Sequence, residues 1–465
     1  MSNQYRSSTT GTRKRLIFNL FTMDTPSHIF HGTWRHPESR SLDYNNLDLW
    51  VEIAQLAERG KMDAIFFADV FGMYESFGGT ADGIIKNAVQ FPISDPSTLI
   101  SAMSHATKNV GFIYTNSVLQ QHPFAFARTI STLDHLTKGR VGWNVVTSVS
   151  KNGSRSMGLE TITDHDERYR WAEEYSEVTY KLWEGSWEDG AVLRDVKSGI
   201  YADPRKVHKI NHVGKRYSVE GPHLVEPSPQ RTPVLFQAGA SSAGEAFAAR
   251  HTEGAFMVSG SPQAAGAKIN SVRAQAKAAG RCDDDILFIE GMSFVVGSTM
   301  EEALRKQADY EHYMIQEAQM IMTSGATGLD LAHYDVDTPL KDLIDKAPGM
   351  HGALKMLIDA APKGTTATVA DLLKASSRRY SVVGTPESIA DHIEQYAAVG
   401  VDGINIMYQM LPGTYRDFIE HVTPVLQQRG LMQREYAPGT LREKMYPGRG
   451  PYLPDHHPAR QYRRK

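Results

Sequence analysis

Cysteine is almost absent from this chain, which has a single one, Cys282, among 465 residues. A disulfide within the chain is therefore impossible, and so little cysteine favours a reducing, cytoplasmic compartment. An excess of one charge is absent as well, because 50 basic and 53 acidic residues leave a net charge of −3. Such a balance provides no general attraction to nucleic acid or to an anionic membrane surface. No run reaches the roughly 18 apolar residues of a membrane span, and the polar N-terminus has no signal-peptide core.

Several motifs that define enzyme classes are missing too. There is no HExxH zinc motif, and the spacing of His28, His31 and His36 does not match a helical two-histidine site. We therefore expect no metal. The sequence has neither a GxSxG nucleophile elbow nor a glycine-rich dinucleotide fingerprint, which weakens hydrolase and Rossmann-fold interpretations. No catalytic lysine or paired carboxylates stand out at strand ends, as a phosphate-binding aldolase or isomerase would require.

The chain does contain a repeated alternation of strand and helix. Eight short segments are almost continuously apolar and rich in β-branched or aromatic residues, as strands buried on both faces are. The predicted strands are 16–23, 63–69, 110–118, 141–147, 234–238, 255–259, 287–296 and 403–408. Segments of helical periodicity lie between them. The predicted helices are 47–59, 96–107, 123–136, 169–183, 244–251, 262–279, 300–321, 386–399 and 413–428. Eight strands that alternate with helices predict an α/β fold, a (β/α)8 TIM barrel.

Two long segments do not fit this repeat. They run from about 185 to 232 and from about 322 to 381, and they are rich in proline, glycine or polar residues. Long insertions in a compact barrel commonly form lids over the site. We therefore predict one TIM-barrel domain over residues 1–465 with two insertions. The extension 431–465 is rich in arginine, proline and tyrosine, and we expect it to pack along the surface or against a neighbouring subunit.

Polar side chains follow the fourth predicted strand. Asn144 and Ser148 lie at its end, and Arg168 and Tyr169 begin the next long helix. Buried strands with polar groups at their carboxyl ends are how α/β enzymes present ligand-binding groups. The guanidinium of Arg168 and the phenol of Tyr169 suit a terminal phosphate. Taken alone, however, the sequence HDER that ends at Arg168 is an ordinary charged first turn of a helix. Asp69 ends another buried strand, so its carboxylate either caps a helix or accepts bonds from a ligand.

The loop GASSAG after the fifth predicted strand contains Ala240, Ser241 and Ser242. Small residues between a strand and a helix leave backbone N–H groups free to bind an anion, and the helix dipole favours negative charge there. Glu245 stands where a nucleotide-hydrolase loop has its lysine, which disfavours a triphosphate. The alternative is an ordinary strand-to-helix turn with Ser241 as the N-cap.

These segments resemble the bacterial-luciferase-like flavin monooxygenases. The similar branch contains the large oxygenase components of nitrilotriacetate, EDTA, dibenzothiophene-sulfone, dimethylsulfide and long-chain alkane monooxygenases. The matching segments read HGTWRHP, LAERGKMDAIFFADV, STLDHLTKGRVGWNVVTS, HDERY, YKLWEGSWEDGAV and PGTLREKMY. The resemblance runs from about residue 17 to the last residues, and the combined motifs are specific to this branch.

The resemblance implies a two-component monooxygenase that uses O2 and reduced FMN, supplied by a separate NAD(P)H:FMN reductase. It places Arg168 and Tyr169 at the phosphate, together with the serines of the GASSAG loop. The cofactor-binding residues that it implies are Asp69, Asn144, Ser148, Arg168, Tyr169, Ala240, Ser241 and Ser242. His28, Tyr74 and Gln90 match the substrate side and are the catalytic candidates. A homodimer or homotetramer is expected.

One position departs from the pattern of the branch. Some relatives carry a histidine where this chain has Ala326, before Thr327 and Gly328. A role for that histidine as acid or base therefore cannot be assumed here, and the residue that protonates the oxygenated cofactor is left open.

The substrate is expected to be small and neutral or aromatic. The loop after the second predicted strand has an apolar, aromatic character and few uncommitted lysines or arginines. Its apolar residues are Phe71, Met73, Tyr74, Phe77 and Phe91. We expect oxidative cleavage of a C–S, C–N or C–halogen bond in xenobiotic, sulfur or nitrogen catabolism. Two alternatives remain on the same barrel: a deazaflavin-dependent oxidoreductase, which the long first insertion disfavours, and a catalytically silent flavin-binding protein.

Overall fold

Eight parallel strands close into a barrel in the computed structural model, which describes residues 15–148, 150–160, 164–239, 241–346, 351–362 and 364–464. The strands are Ile17–Met23 (β1), Ala64–Ala68 (β2), Gly111–Ser117 (β3), Val141–Val146 (β4), Val234–Ala238 (β5), Gly254–Met257 (β6), Leu287–Val296 (β7) and Gly403–Met407 (β8). Each strand pairs with the next in this order, and β1 pairs with β8 to close the ring. The predicted TIM barrel is confirmed.

The helices alternate with the strands, lie in the second insertion or follow the last strand. They are Leu47–Arg59 (α1), Asp82–Asn87 (α2), Ser97–His105 (α3), Pro123–Leu136 (α4), Lys151–Ser156 (α5), His165–Gly185 (α6), Ser242–His251 (α7), Pro262–Ala278 (α8), Met300–Tyr313 (α9), Gln316–Thr327 (α10), His351–Ala360 (α11), Val369–Arg378 (α12), Pro386–Ala398 (α13), Gly413–Asp417 (α14), Thr423–Gln428 (α15) and Leu441–Met445 (α16). None of these helices is both long enough and apolar enough to cross a lipid bilayer, as far as the described residues extend.

Two predicted helices are interrupted. The helix predicted over 300–321 is divided into α9 and α10. It is interrupted because the backbone N–H of Ile315 donates to the carbonyl of His31 at 2.9 Å and not to a carbonyl of its own helix. The prediction 413–428 contains a π-helical turn, Phe418–Val422, between α14 and α15. Pro424 has no N–H to continue a regular helix, which accounts for the irregular turn before it.

The two insertions have secondary structure of their own. The first contains two antiparallel hairpins, Val192–Asp195 with Ile200–Ala202 and His212–Val213 with Ser218–Val219. The second contains α11 and α12, which share a separate apolar cluster with Met320 of α10. A short strand that the sequence did not predict, Ser381–Gly384, follows and pairs with the carboxyl half of β7.

The C-terminal extension closes the amino-terminal end of the barrel. Helix α16 and the residue after it share one apolar cluster with side chains at the starts of the strands. The members of this cluster include Ile17, Ala64, Val234, Leu287, Leu441, Met445 and Tyr446. We call α16 and the residue after it the floor of the barrel. A side chain at Gly111 would come within 2.5 Å of Leu441, so the absence of one allows the floor to pack closely against β3. Helix α16 is thus buried against the barrel, whereas contact of the extension with another subunit stays a prediction.

Candidate functional site at the carboxyl ends of the strands

A ladder of polar side chains lines the ends of β3 and β4. The amide of Asn144 donates to Oγ1 of Thr115 at 2.8 Å, and this hydroxyl donates to the carbonyl of Phe67 at 2.8 Å. The hydroxyl of Ser148 donates to that of Ser117 at 2.6 Å, with the Ser148 backbone at a φ of 51°. The structure thus brings Asn144 and Ser148 to the same end of the barrel.

Asp69 follows β2 and faces other acidic groups. Burial raises the pKa of Asp69 to about 7, and the carboxylates of Asp95 and Asp24 act in the same direction. Asp24 ends β1 as Asp69 ends β2, and burial raises the pKa of Asp24 to about 7 as well. Asp24 is not among the residues predicted from the sequence, although it is a carboxylate that ends a buried strand, as Asp69 is.

The loop between β5 and α7 packs tightly against Tyr169. Ser241 is the N-cap of α7, and its Oγ accepts the N–H of Gly244 at 3.1 Å. Ser242 is the first residue of the helix and is exposed. A side chain at Gly244 would come within 2.7 Å of the phenol oxygen of Tyr169. The capping role does not exclude anion binding, and Ala240 lies outside the described residues.

Arg168 lies in the first turn of α6. This helix begins four residues before the predicted boundary, because the carboxylate of Asp164 accepts the N–H groups of Asp166 and Glu167 at 3.0 and 3.3 Å. Arg168 is buried, and burial lowers the pKa of its guanidinium. The early start of α6 therefore brings Arg168 and Tyr169 into its first two turns.

Gln237, which the sequence analysis missed, links this loop to the barrel. Its amide donates to the phenol oxygen of Tyr169 at 3.3 Å, and the phenol O–H has no acceptor among the described residues, so it can donate to a ligand. The buried Oε1 of Gln237 and the buried Oδ1 of Asn144 have no hydrogen-bond partner within the described part of the chain. Buried acceptors normally have partners. A flavin fits these two unpartnered acceptors, because its ring and its ribityl chain carry N–H and O–H donors. The phosphate of a flavin mononucleotide suits the N-terminus of α7.

The three catalytic candidates form one connected group. The phenol of Tyr74 donates to Oε1 of Gln90 at 3.2 Å, and the amide of Gln90 donates to the carbonyl of His28 at 2.8 Å. The ring of His28 packs on Phe21 and Tyr408, at centroid distances of 5.0 and 6.1 Å. Burial lowers the pKa of His28 to about 3 and raises that of Tyr74 to about 12. Both side chains are therefore neutral at physiological pH.

We predict that replacing His28 by asparagine lowers kcat about a hundredfold or more, the range for loss of one positioned hydrogen-bonding group. The pH dependence of kcat between 6 and 8 should keep its shape, because an imidazole with a pKa near 3 does not titrate there. The measurement is kcat against pH for both proteins, with the exposed His312→Asn as a matched control. Loss of a titration near pH 6–7 in the His28 variant would contradict this prediction.

An apolar wall stands beside these candidates. This wall is a cluster of apolar side chains from α2, α10 and the loop after β2. Its members are Met73, Tyr74, Phe77, Ile84, Val89, Phe91, Ile315, Ala318, Ile321 and Met322. A side chain at Gly325 would come within 3.0 Å of the Tyr74 ring, so the segment with Ala326 lies next to this wall. The nearby cations Lys86 and Arg155 are paired with carboxylates of Glu317 and Glu75.

Comparisons with known proteins identify the family to which this chain belongs. The model of the luciferase-like monooxygenase family matches residues 26–403. The chain is 43% identical to a long-chain alkane monooxygenase of Geobacillus thermodenitrificans (strain NG80-2), over 97% of this chain and 98% of the relative. It is 42% identical to a dimethyl-sulfide monooxygenase of Hyphomicrobium sulfonivorans, over 97% and 94% of the two chains.

Solved structures extend this likeness to three dimensions. The crystal structure of the Hyphomicrobium sulfonivorans enzyme matches with a TM-score of 0.91 over 97% of this chain and 96% of that one. A riboflavin lyase, solved with a modified FMN and riboflavin as substrate, is 36% identical. It matches with a TM-score of 0.87 over 97% of this chain and all of that one. The chain therefore belongs to the luciferase-like monooxygenase family, as a flavin-dependent monooxygenase of the branch that includes alkane, dimethyl-sulfide, nitrilotriacetate and dibenzothiophene-sulfone monooxygenases.

Proposed function

We propose that this protein is the oxygenase component of a two-component system that oxygenates a small neutral compound with reduced FMN and O2. The observation that carries this proposal is the apolar wall beside the group His28, Gln90 and Tyr74. A neutral, apolar substrate gains free energy by leaving water for such a wall, whereas a polyanion needs cations in contact. Cleavage of a C–S, C–N or C–halogen bond would follow oxygenation of the carbon or the heteroatom.

The cofactor would supply the redox chemistry, because reduced flavin activates O2 without a metal. The chain's own residues bind and orient it. Tyr169, Ser241 and Arg168 would hold the phosphate, while the unpartnered oxygens of Asn144 and Gln237 would accept donors of the ring and ribityl chain. The apolar wall keeps water from the reacting centre. The neutral imidazole of His28 offers one donor and one acceptor to the substrate side.

A separate NAD(P)H:FMN reductase is the proposed partner. The absence of a dinucleotide fingerprint supports it, because a chain that reduced its own flavin would need a nicotinamide site. A relative 33% identical over 94% of this chain is named nitrilotriacetate monooxygenase component A, a name that marks it as one part of a larger system. A homodimer or homotetramer is proposed for the assembly.

The paired cations favour a neutral substrate over a chelator. Lys86 contacts Glu317 at 2.7 Å and Arg155 contacts Glu75 at 2.6 Å, so their charges are already compensated. The names of the two relatives above refer to a long-chain alkane and to dimethyl sulfide, both neutral and apolar. Within this class we favour a small sulfide or an alkyl compound.

The test is turnover of a substrate panel by the purified chain with FMN, NADH and an added flavin reductase. The panel contains dimethyl sulfide, a long-chain alkane, dibenzothiophene sulfone and nitrilotriacetate. We expect O2 consumption coupled to product formation with at least one neutral compound and none with nitrilotriacetate. Turnover of nitrilotriacetate alone would refute the substrate class. Flavin oxidation with no oxygenated product from a wider neutral panel would instead indicate a silent flavin-binding protein.

A further inference from the structure

One lysine outside the sequence motifs reaches the loop between β5 and α7. Lys268 lies on α8, one helix further round the barrel, and its ammonium donates to the carbonyl of Gly239 at 3.2 Å. Gly239 is the first residue of the GASSAG loop, two positions before Ser241. An ammonium group has three donors, and within the described residues this carbonyl is its hydrogen-bond acceptor. Two N–H groups of Lys268 therefore remain for a further acceptor.

Glu245, in the first turn of α7, is hydrogen-bonded by neutral side chains of α8 and forms no ion pair with Lys268 within the described residues. Ser271 and Gln275 lie three and seven residues after Lys268, on the same face of α8. Both donate to Oε2 of Glu245, at 3.1 and 3.3 Å. The carboxylate that stands at the usual lysine position of a phosphate loop is thus held by neutral donors. The same helix, α8, provides the ammonium of Lys268 to the loop.

Lys268 also lacks a counter-ion in contact. It forms no ion pair in the parts of the chain that the structure describes, although Glu245 and Glu290 are close enough to act on it electrostatically. Glu290 accepts the backbone N–H and the hydroxyl of Ser259 instead, at 2.6 and 2.8 Å. Lys268 is half-buried, and burial lowers the pKa of its ammonium. Withdrawing a cation from water without a partner costs free energy, which a bound anion would offset.

A second buried group points into the same loop. Gln237 is 3% exposed, and its Oε1 has no partner among the described residues. A side chain at Gly239 would come within 2.2 Å of the Gln237 amide, so this carboxamide lies directly against the loop. Four groups therefore lie around the loop between β5 and α7: the α7 N-terminus, the Tyr169 phenol, Gln237 and Lys268.

We propose that Lys268 is a further residue of the phosphate subsite, where it donates to the Gly239 carbonyl and provides a positive charge to a phosphate monoester. This inference rests on the proposed function, since FMN is the monoester in question. It resolves the difficulty that Glu245 poses in the sequence: the cation that this loop lacks comes from the neighbouring helix.

The experiment compares FMN with riboflavin, which lacks the phosphate. Calorimetric titrations with both flavins in their reduced forms, without O2, give the affinity ratio for the wild type and for Lys268→Met. Methionine keeps most of the apolar stem and removes the charge. We expect the variant to bind FMN about tenfold or more weakly, with its riboflavin affinity unchanged. Lys268→Arg should recover most of the FMN affinity, and Lys277→Met, an exposed position on the same helix, should change neither flavin.

The outcomes separate this inference from the proposed function. If the wild type prefers FMN and Lys268→Met keeps the same preference, Lys268 is not part of the subsite, whereas the proposed function stands. If the variant loses affinity for both flavins equally, Lys268 acts on the shape of the site rather than on the phosphate, and the inference fails. If the wild type binds both flavins equally well, the phosphate subsite itself is refuted, and the proposed cofactor with it.

Discussion

Replacing Arg168 and Ser241 together by alanine is expected to weaken binding of reduced FMN by about a hundredfold or more. Hydrogen bonds to a charged group contribute about 1.5–3 kcal/mol each, and both side chains would donate to the phosphate. Ser241 is also the N-cap of α7, so its loss would further loosen the backbone N–H groups proposed to bind the anion. The measurement is an anaerobic titration of each protein with reduced FMN.

A matched control removes the same two residue types elsewhere. Arg170 is an exposed arginine of α6, and Ser261 is the N-cap of α8. The variant with alanine at both positions should bind FMN as the wild type does. Near-equal affinity of the Arg168 and Ser241 variant, within about twofold or a few tenths of a kcal/mol, would show that the phosphate lies elsewhere.

Replacing Arg442 by methionine is expected to lower the free energy of unfolding by about 3–5 kcal/mol, the cost of breaking a buried ion pair. Its guanidinium donates to both carboxylate oxygens of Glu253, at 2.6 and 2.8 Å. It also donates to the carbonyls of Thr232, Pro233 and Pro451. Methionine would leave Glu253 and these carbonyls buried without their donor. Urea or thermal unfolding, followed by circular dichroism, measures the loss.

The exposed Arg434→Met in the same extension is the control and should leave stability unchanged within about 0.5 kcal/mol. Adding Glu253→Gln to the Arg442 variant should restore much of the loss, because no uncompensated charge then remains in the interior. An unfolding midpoint for Arg442→Met equal to that of the wild type would mean that the floor of the barrel does not depend on this ion pair.

The strands of the barrel were predictable because each is buried on both faces and therefore continuously apolar. The short strand Ser381–Gly384 escaped prediction, since a half-buried strand of four residues has no such run. The break between α9 and α10 was not visible either. It depends on the hydrogen bond from Ile315 to His31, and no local pattern encodes a contact between residues almost 300 positions apart.

The residues of the candidate site also divide into those that the sequence could predict and those that only the packing reveals. Asn144 and Ser148 were found because the carboxyl ends of parallel strands meet at one edge, which is a property of the fold. Gln237 could have been found as a polar residue in an apolar strand. Lys268 had no signal, because a lysine on an amphipathic helix is ordinary, and only the packing of α8 beside α7 brings it to Gly239. The cofactor and catalytic assignments themselves stay predictions.

The position of α16 has a consequence for synthesis of the protein. A nascent chain that has exposed all eight strands can pair them into a ring, yet Ile17, Val234 and Leu287 still face water at the open floor. Only when Leu441, Met445 and Tyr446 leave the ribosome does that cluster become complete. The barrel is therefore finished after translation of its last strand, and chaperones would be expected to recognise a chain that stops between β8 and α16.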